Sequence, residues 1–263
     1  MSIPLYQVDS FTHRPFTGNP AAVCMLQQPA DALWMQQVAA EMNLAETAFV
    51  YPVEDRFHLQ WFTPVVEVDL CGHATLAAAH ILWQQNLVPA GTPITFESRS
   101  GLLLAEQIDD RIRLNFPIDA AKEFAAVSGL LESLGITPIF VGRNRDDFLI
   151  EVATADELHS IKPDFRALGK VRARGVIVTC VSDDPKYDFL SRFFGPASGI
   201  DEDPVTGSAH CTLGEYWSNK LNKTKLSAYQ ASARGGEVQV EIEEDRALIS
   251  GQAVTVFEGT LLG

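Results

Sequence analysis

Apolar and polar residues alternate strictly along two short stretches of the chain, residues 111–116 and 237–242. A period of two residues is typical of a β-strand with one buried face in an antiparallel sheet. Other runs rich in β-branched and aromatic residues predict further strands at 57–62, 94–98, 102–107, 175–181, 247–250 and 253–257. The pattern therefore favours a protein with many antiparallel strands and few helices.

Two segments show helical patterns instead. Asp31 can cap a helix over residues 31–42, in which Trp34, Val38 and Met42 recur at intervals of four. Residues 74–83 are apolar on every side of a helix, and a helix of that kind belongs inside a protein. Because strands surround this segment in the sequence, we expect a strongly curled sheet wrapped around a central helix.

The chain carries the same sequence of signals twice. Phe62-Thr-Pro is followed by Gly72, which opens a helix, and Phe194-Gly-Pro is followed by Gly207, which opens another. The two Phe-x-Pro starts lie 132 residues apart and the two glycines 135 apart, close to half the chain length of 263. The spacing predicts an α/β (α+β) protein of two pseudo-repeated domains. We place them at residues 1–117 and 118–263, and the last strand could return to the first domain.

Composition narrows the class of protein. The chain is 46% apolar and 21% charged, which is typical of a globular protein and excludes intrinsic disorder. With a net charge of −14, it would repel nucleic acids and anionic membranes, and no basic run offsets this. The four cysteines lack metal-ligand spacing, and neither a signal peptide nor a membrane-length apolar stretch is evident. We expect a cytoplasmic protein with free thiols.

The helix starts at Gly72 and Gly207 are the first candidates for binding chemistry. A helix N-terminus offers unpaired N–H groups and a partial positive charge to carboxylates and phosphates. Glycine there lets a ligand approach the backbone. Single glycines usually mark only a tight strand-to-helix turn, but the matched pair favours two ends that meet where the halves meet and hold a substrate carboxylate.

Five side chains near these starts are candidates for the chemistry. Glu46 lies among apolar neighbours, so it could be a poorly hydrated acid/base, or simply a solvated residue after a helix. His73 and Ser208 follow the two glycines, and Asp203 precedes the second one. Each could contact a substrate or only cap a helix. Asn19, in Thr-Gly-Asn-Pro, could bind substrate or only form a turn.

Other catalytic motifs are missing or incomplete. The chain has no G-x-S-x-G, G-x-G-x-x-G, Walker or H-E-x-x-H sequence. A serine hydrolase built from Ser208, His73 and Asp203 would lack its nucleophile elbow. Cys71 could serve as a thiol base, but a two-thiol racemase would need a second cysteine where Asp203 or Thr206 stands.

Several motifs spread along the whole chain match one family. The chain resembles the PhzF-like isomerases, named for the phenazine-biosynthesis enzyme, which share the fold of diaminopimelate epimerase. The Glu-Asp-x-x-Thr-Gly-Ser-Ala block with Gly-His half a chain away is the most specific part of this resemblance. The matching segments are residues 8–11, 18–20, 42–49, 62–64, 72–73, 202–209 and 250–256.

The resemblance implies two domains, each a β-barrel-like sheet around a central helix, with the active site between them. It also implies that no metal or organic cofactor is needed, and that a homodimer is possible. The family's catalytic glutamate matches Glu46, and its active-site His, Asp and Ser match His73, Asp203 and Ser208. Cys71 lies close to where the epimerase relatives carry their first catalytic thiol.

We therefore expect a cofactor-independent isomerase that shifts a proton within a small, carboxylate-bearing, amino-acid-like molecule. A racemase or epimerase using Glu46 or Cys71, and a ligand-binding member without catalysis, stay open as alternatives. Family membership does not identify the substrate. The expected catalytic residues are Glu46, His73 and Asp203, and the expected substrate-binding residues are Asn19, Gly72, Gly207 and Ser208.

Overall fold

The computed structural model describes residues 2–262, which form two compact units. One unit contains the residues up to Phe116 together with those from Ile249 onward, and the other is Pro117–Leu248. The helices are α1 (Ala32–Met42), α2 (Gly72–Gln84), α3 (Leu130–Leu134), α4 (Ala155–Ser160), α5 (Phe165–Leu168) and α6 (Gly207–Leu221). The strands are β1 (Ser2–Ser10), β2 (Asn19–Met25), β3 (Glu46–Val53), β4 (Arg56–Phe62), β5 (Glu67–Val68), β6 (Ile94–Ser98), β7 (Gly101–Ile108), β8 (Arg111–Pro117), β9 (Lys122–Glu123), β10 (Phe140–Arg143), β11 (Asp147–Glu151), β12 (Gly175–Val181), β13 (Phe189–Gly195), β14 (Ile200–Asp203), β15 (Lys225–Gln230), β16 (Gly236–Glu243), β17 (Arg246–Gly251) and β18 (Ala253–Leu262).

The first unit is a mostly antiparallel sheet with the strand order β18-β1-β2-β3-β4-β6-β7-β8. Two neighbours in this order are parallel, β2 with β3 and β4 with β6. Parallel neighbours need a crossover, and the two crossovers contain α1 and α2. The short strand β5 pairs with β4 just before α2 begins.

Helix α2 forms the centre of the first unit. Ten of its thirteen residues are buried, and it packs against β1, β2, β3 and β18. Its small side chains, such as Ala77 and Ala78, are fully buried and let the strands approach closely. Helix α1 packs on β3 and β4, with Asp31 accepting hydrogen bonds from the N–H groups of Leu33 and Trp34. The predicted cap and the predicted interior helix are both confirmed.

The second unit repeats this topology. Its strand order is β9-β10-β11-β12-β13-β15-β16, with β11–β12 and β13–β15 parallel and the other neighbours antiparallel. The crossovers contain α4 with α5 and then α6, and the short strand β14 pairs with β13 before α6 begins. The predicted fold class, two pseudo-repeated units of curled antiparallel sheet around a helix, is confirmed.

Helix α6 is the counterpart of α2 and is anchored by aromatic packing. Trp217 is fully buried, and its ring stacks on Phe189 of β13 with centroids 5.7 Å apart. Its indole N–H donates a hydrogen bond of 2.9 Å to Thr179 Oγ1 of β12. These contacts fix the helix against the sheet and thereby set the position of its first turn.

The strands β1, β2, β3, β11 and β13 were not marked by alternation in the sequence. Most of their residues are buried on both faces, so the period of two disappears. Within residues 2–262, no helix has the length and apolar character that crossing a membrane would require.

Candidate active site

Glu46 is the first residue of β3 and pairs in register with Ala21 of β2. Its side chain is only 13% exposed, and atom Oε2 is buried 3.2 Å from His73 Nε2. The carboxyl group is therefore largely withdrawn from water, and it contacts an imidazole.

His73 is the second residue of α2 and is almost completely buried. On the side away from Glu46, its Nδ1 lies 3.2 Å from Asn19 Nδ2 and 3.5 Å from Cys71 Sγ. Its backbone carbonyl accepts a hydrogen bond of 2.8 Å from Ser10 Oγ. Strands β1 and β2 thus supply Ser10 and Asn19, which hold both the backbone and the ring of His73.

The electrostatics of this group favour a charged imidazole. Burial lowers the pKa of His73, but the nearby Cys71 and Glu46 outweigh burial and raise that pKa well above its ordinary value. Burial, with a smaller effect from Glu46, raises the pKa of the Cys71 thiol, and the neighbouring His73 opposes this shift. The amide of Asn19 can donate to a neutral ring through its nitrogen, or accept from a charged ring through its oxygen after a half-turn.

Among residues 2–262, Glu46, Cys71 and His73 form a group that could hold a metal ion. Ligand atoms of Glu46, Cys71 and His73 all lie within 4.8 Å of one another. Carboxylate, thiolate and imidazole are ligands that zinc accepts. However, Glu46 and Cys71 contact opposite nitrogens of the ring, so a single ion could not bind all three without rotation of the imidazole. The expectation that no metal is needed stays a prediction.

The N-terminus of α2 is not capped by its own N-cap side chain. Cys71 occupies the N-cap position and makes no side-chain capping hydrogen bond, whereas the N-cap residues of α1, α4 and α5 all make one. The carbonyl of Cys71 instead accepts a hydrogen bond of 2.6 Å from Thr75 Oγ1. The first-turn N–H groups at Gly72 and His73 are therefore not used by a cap, which suits a helix end that binds an anion.

The second unit carries a matching helix start. Thr206 is the N-cap of α6, and it too makes no side-chain capping hydrogen bond. Its hydroxyl donates instead to Asp203 Oδ2 at 2.5 Å. Gly207 and Ser208 are the first two helical residues, the former buried and the latter half-buried.

The structure thus brings Asn19, Glu46, Gly72 and His73 together in the first unit, and Asp203, Gly207 and Ser208 together in the second. That the two groups act in one site, and that each residue has its expected role, stay predictions. Sequence reasoning missed Ser10, although it stands in one of the matching motifs, and Gln230, which contacts Thr206 from 24 residues away. No local signal in the sequence marks Gln230.

Comparison with known proteins first defines the class. The solved structure of a phenazine biosynthesis protein of the PhzF family from Enterococcus faecalis has a TM-score of 0.95 and 39% identity, with both chains covered completely. The structure of a predicted epimerase from Pseudomonas aeruginosa has a TM-score of 0.76 at 21% identity, covers 99% of each chain, and shows a shared fold. The fold is therefore that of PhzF proteins and epimerases.

The sequence comparisons then give the family. The phenazine biosynthesis-like protein family (PhzC-PhzF) matches residues 8–259, and the chain belongs to it. An uncharacterized isomerase of Halalkalibacterium halodurans is 52% identical over 263 residues, covering 100% of this chain and 99% of its own. These relatives identify the chain as an isomerase. The expected cytoplasmic location, homodimer, and absence of a nucleic-acid partner stay predictions.

Proposed function

We propose that this isomerase moves a proton between two carbons of a small, carboxylate-bearing, amino-acid-like substrate without a cofactor. The observation that carries the proposal is the contact between Glu46 and His73, in which a poorly hydrated carboxyl group lies 3.2 Å from a buried imidazole. A carboxyl group that is shielded from water and held against a buried imidazole is placed to exchange a proton with a bound carbon acid.

Glu46 is the proton carrier in this mechanism. Because Oε2 contacts His73, Oε1 is the oxygen that accepts the proton from the first carbon of the substrate. The electron pair left by that C–H bond shifts along the substrate, and Glu46, whose proton exchanges with solvent between the two steps, delivers a proton to the second carbon. No proton is gained or lost over the cycle, so neither a redox partner nor a co-substrate is required.

His73 holds the carboxylate and balances its charge. An imidazolium beside Oε2 stabilises the ionised form in which Glu46 must begin each cycle. When Glu46 carries the substrate proton, it is a neutral acid beside a charged imidazole. The positive charge of that ring then balances the negative charge that the substrate gained when it lost its proton. Asn19, which contacts the opposite nitrogen, keeps the ring in place for both states.

The uncapped helix starts supply the carboxylate-binding groups. Backbone N–H groups at Gly72 and Gly207 are preorganised donors, and we assign Ser208 and Asn19 to the same task. Losing one such donor typically costs about 2.7–4 kcal/mol at the transition state. Asp203 positions the substrate and balances charge in this proposal, a role that rests on the family resemblance.

The test replaces the proton carrier. Glu46→Gln keeps the shape of the side chain and removes its ability to carry a proton. In D2O with a panel of L- and D-amino acids and unsaturated amino acids, wild-type protein should introduce deuterium at substrate carbon, and the variant should do so about 10²–10⁴-fold more slowly. Proton NMR measures the exchange. Glu106→Gln, which changes a half-buried carboxylate paired with Arg113, is the matched control.

The alternatives give different results in the same experiment. Equal exchange by wild type and Glu46→Gln would contradict the proposal. Inversion of optical activity in a single amino acid, lost in Cys71→Ala, would indicate a racemase; the contact of Cys71 Sγ with His73 Nδ1 favours this as the second candidate. Tight carboxylate binding without any exchange would indicate a ligand-binding protein.

A further inference from the structure

Thr206 uses its hydroxyl in an unusual way for a residue at the start of a helix. A threonine at the N-cap normally accepts a hydrogen bond from the second or third N–H of the helix, which stabilises it by about 1 kcal/mol. In α6 this bond is absent, and the hydroxyl donates to Asp203 Oδ2 at 2.5 Å within a buried environment. The Thr206 hydroxyl therefore binds the Asp203 carboxylate instead of capping the helix.

Gln230 determines which way the Thr206 hydroxyl points. Its Oε1 accepts a hydrogen bond of 2.9 Å from the backbone N–H of Thr206, which fixes the orientation of the amide. Its Nε2 then donates to the backbone carbonyl of Asp203 at 2.8 Å and to Thr206 Oγ1 at 3.2 Å. Because Thr206 Oγ1 accepts from Gln230, its single proton is left for Asp203.

Gln230 therefore donates to the Thr206 hydroxyl, and that hydroxyl donates to the carboxylate of Asp203. Gln230 is completely buried at the end of β15, and Thr206 is 8% exposed, so water competes little for these hydrogen bonds. His210 adds a further restraint, since its Nδ1–H donates to the carbonyl of Thr206 at 2.8 Å. A hydroxyl that donates to the carboxylate stabilises the ionised form of the acid relative to the protonated form.

We propose that Thr206 and Gln230 are positioning residues that fix the orientation of Asp203 and keep it ionised, so that Asp203 meets the substrate as a hydrogen-bond acceptor. The consequence for the reaction rests on the proposed function, in which Asp203 contacts the substrate. The control of the charge of Asp203 does not rest on it.

The test follows the ionisation of Asp203 directly. The carboxyl carbon of Asp203 is observed by 13C NMR in protein labelled at aspartate, with Asp203→Asn identifying the signal. In Thr206→Val the titration midpoint of this signal should rise by about one pH unit, because a hydrogen bond to the charged form is lost. In Thr206→Ser, which retains the hydroxyl, it should stay near the wild-type value. Gln230→Leu should raise the midpoint by a smaller amount.

Thr212→Val is the matched control on the same helix. Thr212 is fully buried, and its hydroxyl accepts from Asn144 and donates to the carbonyl of Asp119, remote from Asp203 in the hydrogen-bond network. It should lower stability as Thr206→Val does but leave the Asp203 midpoint unchanged. An unchanged midpoint in Thr206→Val, or an equal rise in Thr206→Ser or Thr212→Val, would overturn the proposal.

Deuterium exchange in the substrate panel separates this inference from the proposed function. If the midpoint rises in Thr206→Val and exchange also falls with a shifted pH profile, both stand. If the midpoint rises but exchange is unaffected at every pH, Thr206 still controls the charge of Asp203, and the role of Asp203 in the reaction is wrong.

Discussion

Two histidines in the first turns of the two central helices have opposite electrostatic behaviour. His73 and His210 are both buried, yet the pKa of His73 is raised, whereas burial lowers the pKa of His210 to about 4. The difference lies in their partners. His73 contacts a carboxyl group, which favours a charged ring, and His210 donates to the backbone carbonyl of Thr206, which satisfies a neutral one.

The neutral state of His210 predicts an acid-sensitive component of stability. The unfolded chain binds a proton at this residue below about pH 6.5, while the folded chain does so only near pH 4. Stability should therefore fall as the pH falls through this window, by about 3 kcal/mol from this residue alone. Urea unfolding between pH 6.5 and 4 should show a steeper loss for wild type than for His210→Asn.

The control for this measurement is an exposed histidine of the same unit. His159→Asn, on α4, should leave the pH dependence of the unfolding free energy as it is in wild type. If His210→Asn retains the full wild-type slope, other groups cause the acid sensitivity and the buried neutral state of His210 is not its origin.

Local sequence could predict single residues only where their surroundings are also local. Asp31 caps α1 as its position before an amphipathic pattern indicated. The burial of Glu46 could not be decided from its neighbours, because it depends on β2 and α2, which are distant in sequence. The same holds for Gln230, whose contacts with Asp203 span 27 residues and form only when β15 pairs beside β13.

At the scale of elements, α6 approaches the sheet so closely that one position must be glycine. A Cβ on Gly214 would lie 2.4 Å from Val240 Cγ1 and 3.0 Å from Ile242 Cδ1, both on β16. Glycine inside a helix normally costs about 1 kcal/mol relative to alanine. Here the close packing of helix on strand offsets that cost, and helix propensity alone would predict the wrong effect of a substitution.

Gly214→Ala should therefore destabilise the protein, by about 1–3 kcal/mol, as expected for overpacking in a core. The double variant Gly214→Ala/Val240→Ala removes the Cγ1 atom that the new methyl group meets. Its loss of unfolding free energy should therefore be smaller than the sum of the losses in the two single variants. Urea unfolding of the four proteins measures this coupling. A stabilising Gly214→Ala would show that the strand gives way easily and that packing does not require glycine.

The sequence predicts a strand or helix best when one face of that element is buried and the other faces solvent. Strands β8 and β16 alternate because one face is buried and the other is more open to solvent, and α2 begins at the glycine expected to open it. Parallel partners such as β2 and β3 were not predictable, because their pairing is set by a helical crossover rather than by any local pattern.

At the scale of the whole molecule, the two units share a strand order that the sequence showed only as matched spacing. The first unit also has an edge strand that comes from the far end of the chain, because β18 follows β17 and pairs with β1. A boundary drawn at one point in the sequence cannot represent this arrangement, because pairing between β1 and β18 joins the two ends of the chain.

This arrangement predicts which unit depends on the last strand. Strand β18 pairs with β1 along its length, and its Thr255 hydroxyl contacts His80 and Gln84 of α2. Deleting residues 253–263 should remove hydrogen-exchange protection from the amides of β1 and α2, because both lose a neighbour that shields them from water. Amides of β12 and β13 should keep their protection, since both strands have all their neighbours within the second unit.

Thr255→Val, which removes the side-chain contacts but leaves the strand in place, should change exchange only slightly. Equal loss of protection in both units would mean that they unfold as one cooperative body, and that the strand supports the whole chain rather than the first unit.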